Sequence, residues 1–346
     1  MAARCALGPE KAAMPKPKRW TVGVTHLVKP PFEPELEAFD GNAEIVWFES
    51  RDAHDYATDD LRRLDAMLVW TPVIDAATVR TLTNCRILVR YGVGYDRIDL
   101  DALAASGIAF SNNPEYGPED VADTALAMIL ALQRRIVEHD CRARTYRDEW
   151  QENHLSPLRH SKQSCVGIVG LGRIGSSVSL RLKPFGYRVT AYDPYVSNGM
   201  FRALDVQRAH SLEELVEQAD VLTLHCPLTD ETRGMIDDTL LAKTKPGLIF
   251  VNTARGGLIA NLGLVESGLR SGQLAAAGLD VLPQEPPADH ALIRAWREQA
   301  DWLRGRLLIT PHNAFYSDHS FAECRYNAAC TARLFLEQQV HRNRVE

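Results

Sequence analysis

Residues Cys165-Val-Gly-Ile-Val-Gly-Leu-Gly-Arg-Ile-Gly175 carry Gly170, Gly172 and Gly175 in the spacing G-x-G-x-x-G. The apolar run Cys165–Gly170 reads as a buried strand, and the third glycine opens a helix continuing through Leu182. In that setting the glycines serve, in order, a tight turn, close approach of backbone to a pyrophosphate, and close packing of helix on strand. The helix start offers unpaired N–H groups and positive dipole charge to the phosphates. The next strand ends at Tyr192-Asp193-Pro194, placing Asp193 eighteen residues after Gly175. A carboxylate there accepts hydrogen bonds from ribose hydroxyls and repels a 2′-phosphate, and no arginine follows at once to neutralise one. Strand, glycines, helix and acid in register therefore imply a dinucleotide site, with NAD favoured over NADP.

Outward from this stretch, short β-type runs alternate with helical segments. Strands are expected at Trp20–His26, Glu44–Phe48, Ala66–Trp70, Arg86–Arg90 and Ile108–Ser111, with helices near Pro34–Phe39, Asp60–Leu64, Ile74–Leu82 and Leu100–Ala105. A long helix is expected over Pro118–Gln133. Pro118 suits its first turn, Glu119 and Asp120 suit the positive end, and Val121, Ala125, Met128, Ile129 and Leu132 form its apolar stripe. A second helical stretch reaches about Trp150, and Gln151–Gln163 reads as a connection. Beyond it, strands are expected at Cys165–Gly170, Arg188–Tyr192, Val221–His225, Leu248–Asn252, Ala276–Leu279 and Leu307–Thr310, and a last helix over His319–Gln339. The pattern predicts an α/β chain of two Rossmann-like or flavodoxin-like parallel-sheet domains.

The bulk composition narrows the class. At 346 residues the chain has room for about two domains, and 45% hydrophobic with 24% charged residues is ordinary for folded cores. A formal net charge of −6 and the lack of a long basic block give no reason to expect a nucleic-acid partner. Seven cysteines without a C-x-x-C pair fit free thiols better than a disulfide framework. The longest apolar stretch, Ala125–Leu132, is too short to span a bilayer. The N-terminus lacks the apolar core of a secretory signal, and residues 1–18 read as a disordered extension. A cytoplasmic protein without membrane association is expected.

Three polar residues follow strands in the second half, where ligands of open α/β sheets bind. They are Arg255 in Val251-Asn-Thr-Ala-Arg-Gly-Gly257, Glu285 in Gly278-Leu-Asp-Val-Leu-Pro-Gln-Glu-Pro286, and His312 in Thr310-Pro-His-Asn313. Reducing a 2-keto acid needs a proton donor at the ketone oxygen and a cation for the carboxylate. A histidine titrates near neutrality, and a carboxylate beside it stabilises the imidazolium. An arginine offers a planar, permanently charged fork. The residue types suit the chemistry, but sequence alone does not bring them together.

These motifs resemble those of the D-isomer-specific 2-hydroxyacid dehydrogenases. The likeness runs from about Val22 to the C-terminus and is densest over Val166–Ser317. Within that superfamily the sequence is most similar to the C-terminal binding protein-like branch, through Tyr192-Asp-Pro-Tyr-Val-Ser, Arg202-Ala-Leu-Asp-Val-Gln-Arg208, Val221-Leu-Thr-Leu-His-Cys226, Val251–Gly257, and Thr310-Pro-His with Tyr316-Ser317. The resemblance implies that Arg255 orients the substrate, His312 is the general acid/base and Glu285 holds and tunes it. It implies NAD contacts from Gly170, Gly172, Arg173, Ile174, Gly175, Asp193, His225, Cys226, Pro227, Thr253, Ala254, Arg255, Asp280 and His312, with Asp280 on the nicotinamide carboxamide. The loop Arg90-Tyr91-Gly92-Val93-Gly94, with Arg255 and Phe315, would receive the 2-keto or 2-hydroxy acid, and no metal is implied.

The family's fold also makes the substrate domain discontinuous, here 19–115 with 312–346, around an inserted NAD-binding domain at 116–311. A homodimer is expected, with its contact in the helical region after Pro118, and products of D configuration. Three departures stand out. Phe315 replaces a Trp of the C-terminal binding proteins, Asn313 replaces the usual Ala after the histidine, and Asn261 stands near a missing helix-opening Asp. Glu285 speaks against formate-oxidising relatives, which use Gln. The expected function is NAD-dependent interconversion of a small 2-keto acid and its D-2-hydroxy acid. The alternative is an NAD(H)-sensing corepressor-like scaffold with little turnover. A chain ending soon after its last helix, without a regulatory tail or extra domain, favours the enzyme and ranks phosphoglycerate oxidation lower.

Overall fold

The computed structural model describes residues 19–146, 150–151, 155 and 158–345, so the expected extension 1–18 lies outside the described residues. The chain divides into two units, one up to Pro114 and again from Arg325, the other Glu115–Cys324. The outward crossing falls beside the expected 115/116. The return lies at Cys324/Arg325, beyond the 312 expected from sequence. That point is inside the last helix, so the chain passes from one unit to the other without a break in secondary structure.

In the first unit the strands are β1 (Trp20–Thr25), β2 (Ala43–Phe48), β3 (Ala66–Val69), β4 (Ile87–Arg90) and β5 (Ala109–Ser111). They pair in parallel in the order β2-β1-β3-β4-β5. All four residues of the central β3 are buried, which is why it reads as an unbroken apolar run rather than an alternating one. Helices α1 (Glu33–Ala38), α2 (Thr58–Arg62), α3 (Ala76–Thr81) and α4 (Leu100–Ala105) connect them. Helix α3 begins two residues later than Ile74. Asp75 accepts the Thr78 amide as an N-cap, and Ile74 is drawn into a parallel bridge with Ile98.

The second unit opens with α5 (Pro118–Gln133) and α6 (Ile136–Ala143). Helix α6 stops well short of Trp150 because Thr145 donates both its amide and its hydroxyl to the Arg142 carbonyl. Strands β6 (Cys165–Val169), β7 (Arg188–Tyr192), β8 (Gln207–Arg208), β9 (Val221–Leu224), β10 (Leu248–Asn252), β11 (Leu274–Leu279) and β12 (Leu307–Ile309) follow. Among them run α7 (Arg173–Leu182), α8 (Asn198–Ala203), α9 (Leu212–Gln218), α10 (Asp238–Ala242), α11 (Leu262–Ser271) and α12 (Ala291–Arg297). The parallel order is β12-β11-β10-β9-β6-β7-β8, so the winding reverses between β6 and β9.

Alternate residues of one strand feed opposite faces. Leu248 and Phe250 enter one core with Leu222, Leu224 and Leu279, while Ile249 and Val251 enter the other with Ile168, Ile129 and Leu132. Each such side chain, fully buried, contributes about 1.5–3 kcal/mol relative to exposure. Helix α5 lies close on β11: a Cβ on Gly278 would stand 3.1 Å from the Met128 sulfur. Asn261 caps α11 by accepting the Leu264 amide at 3.0 Å, so the missing Asp is replaced in function. Helix α13 (Asp318–Gln338) ends the fold. Among the described residues no helix is long and apolar enough to cross a membrane.

Candidate active site

The sheet of the second unit ends on one edge in a line of paired residues. Ile309 aligns with Leu279, Leu279 with Asn252, Asn252 with Leu224, Leu224 with Val169 and Val169 with Tyr192. Candidate residues of this unit follow that line within a few positions: His312, Asp280, Thr253–Arg255, His225–Pro227, Gly170 and Asp193. A parallel sheet delivers all its carboxyl ends to one side, and the reversal between β6 and β9 opens a crevice there.

At that reversal Gly170 has φ +88, and a Cβ on it would stand 2.8 Å from the Cys226 nitrogen. A Cβ on Gly175 would stand 2.0 Å from the Gly170 oxygen, so helix and turn are in backbone contact. Gly172 differs: a Cβ there would meet nothing within 4 Å. It is the N-cap of α7 and supplies no side-chain cap, and the first amide bonded back along the helix is Ser176 to Gly172. The amides of Gly172–Gly175 thus have no hydrogen-bond partner among the described residues, with the positive end of a ten-residue helix behind them. Asp193 is held by three amides, from Leu171 at 2.8 Å, Tyr195 at 2.9 Å and Val196 at 3.2 Å. Such bonds fix the orientation of the carboxylate.

Two buried polar atoms on this edge lack partners, Nδ1 of His225 and Oγ1 of Thr253. His225 Nε2 and Thr223 Oγ1 are 2.9 Å apart, and burial pushes the imidazole down to about 3, so it is neutral. Burial also pushes the neighbouring Cys226 thiol up to about 12, which leaves it protonated and unreactive. An uncapped helix start, open space over Gly172 and orphaned polar atoms just after β9 and β10 are what a bound NAD would complete.

Glu285 and His312 lie in the loops that follow β11 and β12. His312 Nδ1 lies 2.7 Å from Glu285 Oε2, and Oε1 of the same carboxylate accepts the Leu282 amide at 2.9 Å. A carboxylate only accepts, so Nδ1 carries the proton and Nε2 is left for other partners. His312 has φ +53, a left-handed backbone that is costly for a side-chain-bearing residue. Its amide donates to the Asp280 carbonyl at 2.8 Å. The Asp280 carboxylate accepts the Thr310 hydroxyl at 2.6 Å and the amides of Asn313 at 3.0 Å and Ala314 at 3.1 Å. A carboxylate offers about four acceptor positions. The expected contact with a carboxamide therefore draws on what those three bonds leave.

Arg255 sits on a turn pinned by the buried Asn252, whose side chain accepts the Ala254 amide at 3.0 Å and donates to the Arg255 carbonyl at 2.9 Å. The turn presses on the Glu285 loop: a Cβ on Gly256 would stand 2.0 Å from the Leu282 carbonyl. Asn252 and Thr310 thus position the site, although the sequence motifs do not single them out. The signal that could find them is a polar residue ending a buried strand. Phe315 packs edge-on against Tyr116, with ring centroids 5.9 Å apart.

In the first unit, the loop after β4 holds Arg90–Gly94. Arg90 lies over the Trp70 ring at 5.8 Å and donates to the Val69 carbonyl at 3.4 Å. The side chain of Tyr91 departs from expectation. It is wholly buried, its hydroxyl donates to Glu35 and its amide donates to the Val69 carbonyl. The ring thus fills the core of the first unit rather than facing solvent. The amides of Gly92, Val93 and Gly94 donate to no group among the described residues.

The model of a family described as D-isomer specific 2-hydroxyacid dehydrogenase, NAD binding domain, matches residues 126–314. The chain belongs to that family, and its second unit holds the NAD-binding domain. The D-3-phosphoglycerate dehydrogenase of Mycobacterium leprae is 39% identical over 249 residues, which are 72% of this chain and 44% of the relative. The chain spans about half the length of the curated relatives it matches. Among solved structures, D-lactate dehydrogenase from Aquifex aeolicus, complexed with NAD and lactic acid, has TM-score 0.81 and 25% identity over 91% of this chain and 95% of its own. An NADPH-dependent glyoxylate/hydroxypyruvate reductase from Sinorhizobium meliloti has TM-score 0.81 and 26% identity over 95% and 97%.

Proposed function

We propose that the protein is an NAD-dependent dehydrogenase that interconverts a small 2-keto acid and its D-2-hydroxy acid. The observation carrying this reading is the His312–Glu285 contact of 2.7 Å at the edge where the glycine turn and Asp193 also emerge. NAD, when bound, supplies the acceptor or donor of the hydride. His312 gives a proton to the ketone oxygen in reduction and takes it back in oxidation, through the nitrogen not bonded to Glu285. Glu285 stabilises the imidazolium and fixes the ring. Arg255 pairs with the substrate carboxylate. The amides of Gly92–Gly94 and the charge of Arg90 are the substrate-binding groups of the first unit. Asp193 selects NAD through the ribose hydroxyls.

In this reading the first unit is the substrate domain, the second the coenzyme domain, and the protein is a homodimer joined near α5. The relatives named for phosphoglycerate bring a phosphorylated acid into the test. NADH absorbance is followed with glyoxylate, hydroxypyruvate, pyruvate, phenylpyruvate and phosphohydroxypyruvate, using wild type, His312→Ala and Arg255→Ala, with NADPH as control. Turnover that collapses in both variants supports the dehydrogenase. NADH binding without turnover of any acid overturns it and leaves a cofactor-sensing scaffold.

A further inference from the structure

The first unit buries an ionic cluster that none of the roles above uses. Glu35 on α1 is fully buried, and Arg325 on α13 is 9% exposed. The pair is bidentate: Arg325 Nε donates to Glu35 Oε1 at 2.9 Å and Nη2 to Oε2 at 2.6 Å. Nη2 also donates to the Pro31 carbonyl at 2.9 Å. The third donor to this carboxylate is the Tyr91 hydroxyl, 3.0 Å from Oε1.

Stripping two ions of water is expensive, and well-packed apolar residues often serve a core as well or better. What this pair adds is geometry, because the two bonds of the Arg325 fork hold the carboxylate in one orientation for the Tyr91 hydroxyl. Tyr91 is tied at both ends, by its amide to β3 and by its hydroxyl to Glu35. Its ring lies 5.5 Å from that of Trp70, and the Arg90 guanidinium lies over the same Trp70 ring. Contacts therefore run unbroken from α13 and α1 through Tyr91 and Trp70 to Arg90 and the turn at Gly92.

We propose that the Glu35–Arg325 pair, acting through Tyr91, sets the conformation of the Arg90–Gly94 loop for an incoming carboxylate. Glu35 and Arg325 are then positioning residues for substrate binding, although neither touches substrate. This inference rests on the proposed function. It assigns to the last helix a part in substrate affinity that its distance along the chain conceals.

Tyr91→Phe is the decisive variant, because it removes one hydroxyl and keeps the ring and the ion pair. A positioning role raises KM for the best keto acid by about 5-fold, the worth of one hydrogen bond, with kcat and the NADH dissociation constant within about 2-fold. Glu35→Gln shifts KM further in the same sense. An unchanged KM in Tyr91→Phe, or kcat falling with KM held, overturns the proposal. Amide hydrogen exchange of residues 87–92 is read on the same proteins without ligand. Faster exchange in Tyr91→Phe supports the positioning role even if no keto acid is consumed, when only the proposed function fails. Unchanged exchange overturns it.

Discussion

Nδ1 of His312 and Oε2 of Glu285 stand 2.7 Å apart, while Oε1 of that carboxylate accepts the Leu282 amide at 2.9 Å. One oxygen of Glu285 is thus spent on aim and the other on the imidazole. His312→Ala is expected to lower kcat by about 10²–10⁴-fold, the usual worth of a general acid/base, with NADH affinity kept. Glu285→Gln keeps an acceptor but loses charge assistance, about 1.4 kcal/mol or tenfold in kcat. Stopped-flow hydride transfer checks both. Wild-type rates in His312→Ala would assign the proton to another group.

The three turn glycines make different predictions. Gly172→Ala adds a methyl with nothing within 4 Å, so the melting temperature should hold while NADH binding weakens. Gly175→Ala drives a methyl to 2.0 Å from the Gly170 oxygen. It is expected to cost about 1–3 kcal/mol of stability or more. Calorimetric melting with NADH fluorescence titration separates the two effects. Unaltered NADH affinity in Gly172→Ala would place the pyrophosphate elsewhere.

Asp193 accepts three amides yet keeps capacity for a ribose hydroxyl. In Asp193→Asn, loss of a charged acceptor is expected to weaken NADH by about 10-fold and NADPH by less, because repulsion of the 2′-phosphate also goes. Parallel titrations with the two cofactors give the ratio, and a ratio equal to wild type would remove Asp193 from cofactor choice.

His225 has a folded pKa pushed down to about 3, against 6.5 as its ordinary value. Between these values the unfolded chain holds a proton that the folded chain does not. Stability from this residue is therefore present above pH 6.5 and is lost as pH falls toward 3. The slope is about 1.4 kcal/mol per pH unit. His225→Leu should flatten the acid side of a urea-unfolding pH series by one proton. An identical slope in the variant would show that the imidazole is charged in the fold.

Much of this protein is written locally. The parallel strands, the helix over Pro118–Gln133 and the glycine turn with Asp193 follow from apolar runs, a helical stripe and fixed spacings. Those signals act over a few residues, where backbone sterics and periodic burial decide, and each expected strand is found to within one or two positions. The two-residue edge strand β8 is not among the expected ones, because so short a run carries no apolar pattern. The end of α6 at Ala143 departs because a Thr145 side chain caps a pattern that periodicity would continue.

What sequence alone determined is therefore the fold class, the NAD-binding domain and the residue types at the strand ends. Tertiary structure decided which of them meet. His312 finds Glu285 because β12 lies beside β11, and the same neighbourhood commits the Asp280 carboxylate to the His312 loop. Only the packed sheet turns Tyr91 inward and joins Glu35 to Arg325 across 290 positions of chain. Spacing cannot encode such pairings, because they depend on strand order and on the cost of burying a polar group without a partner.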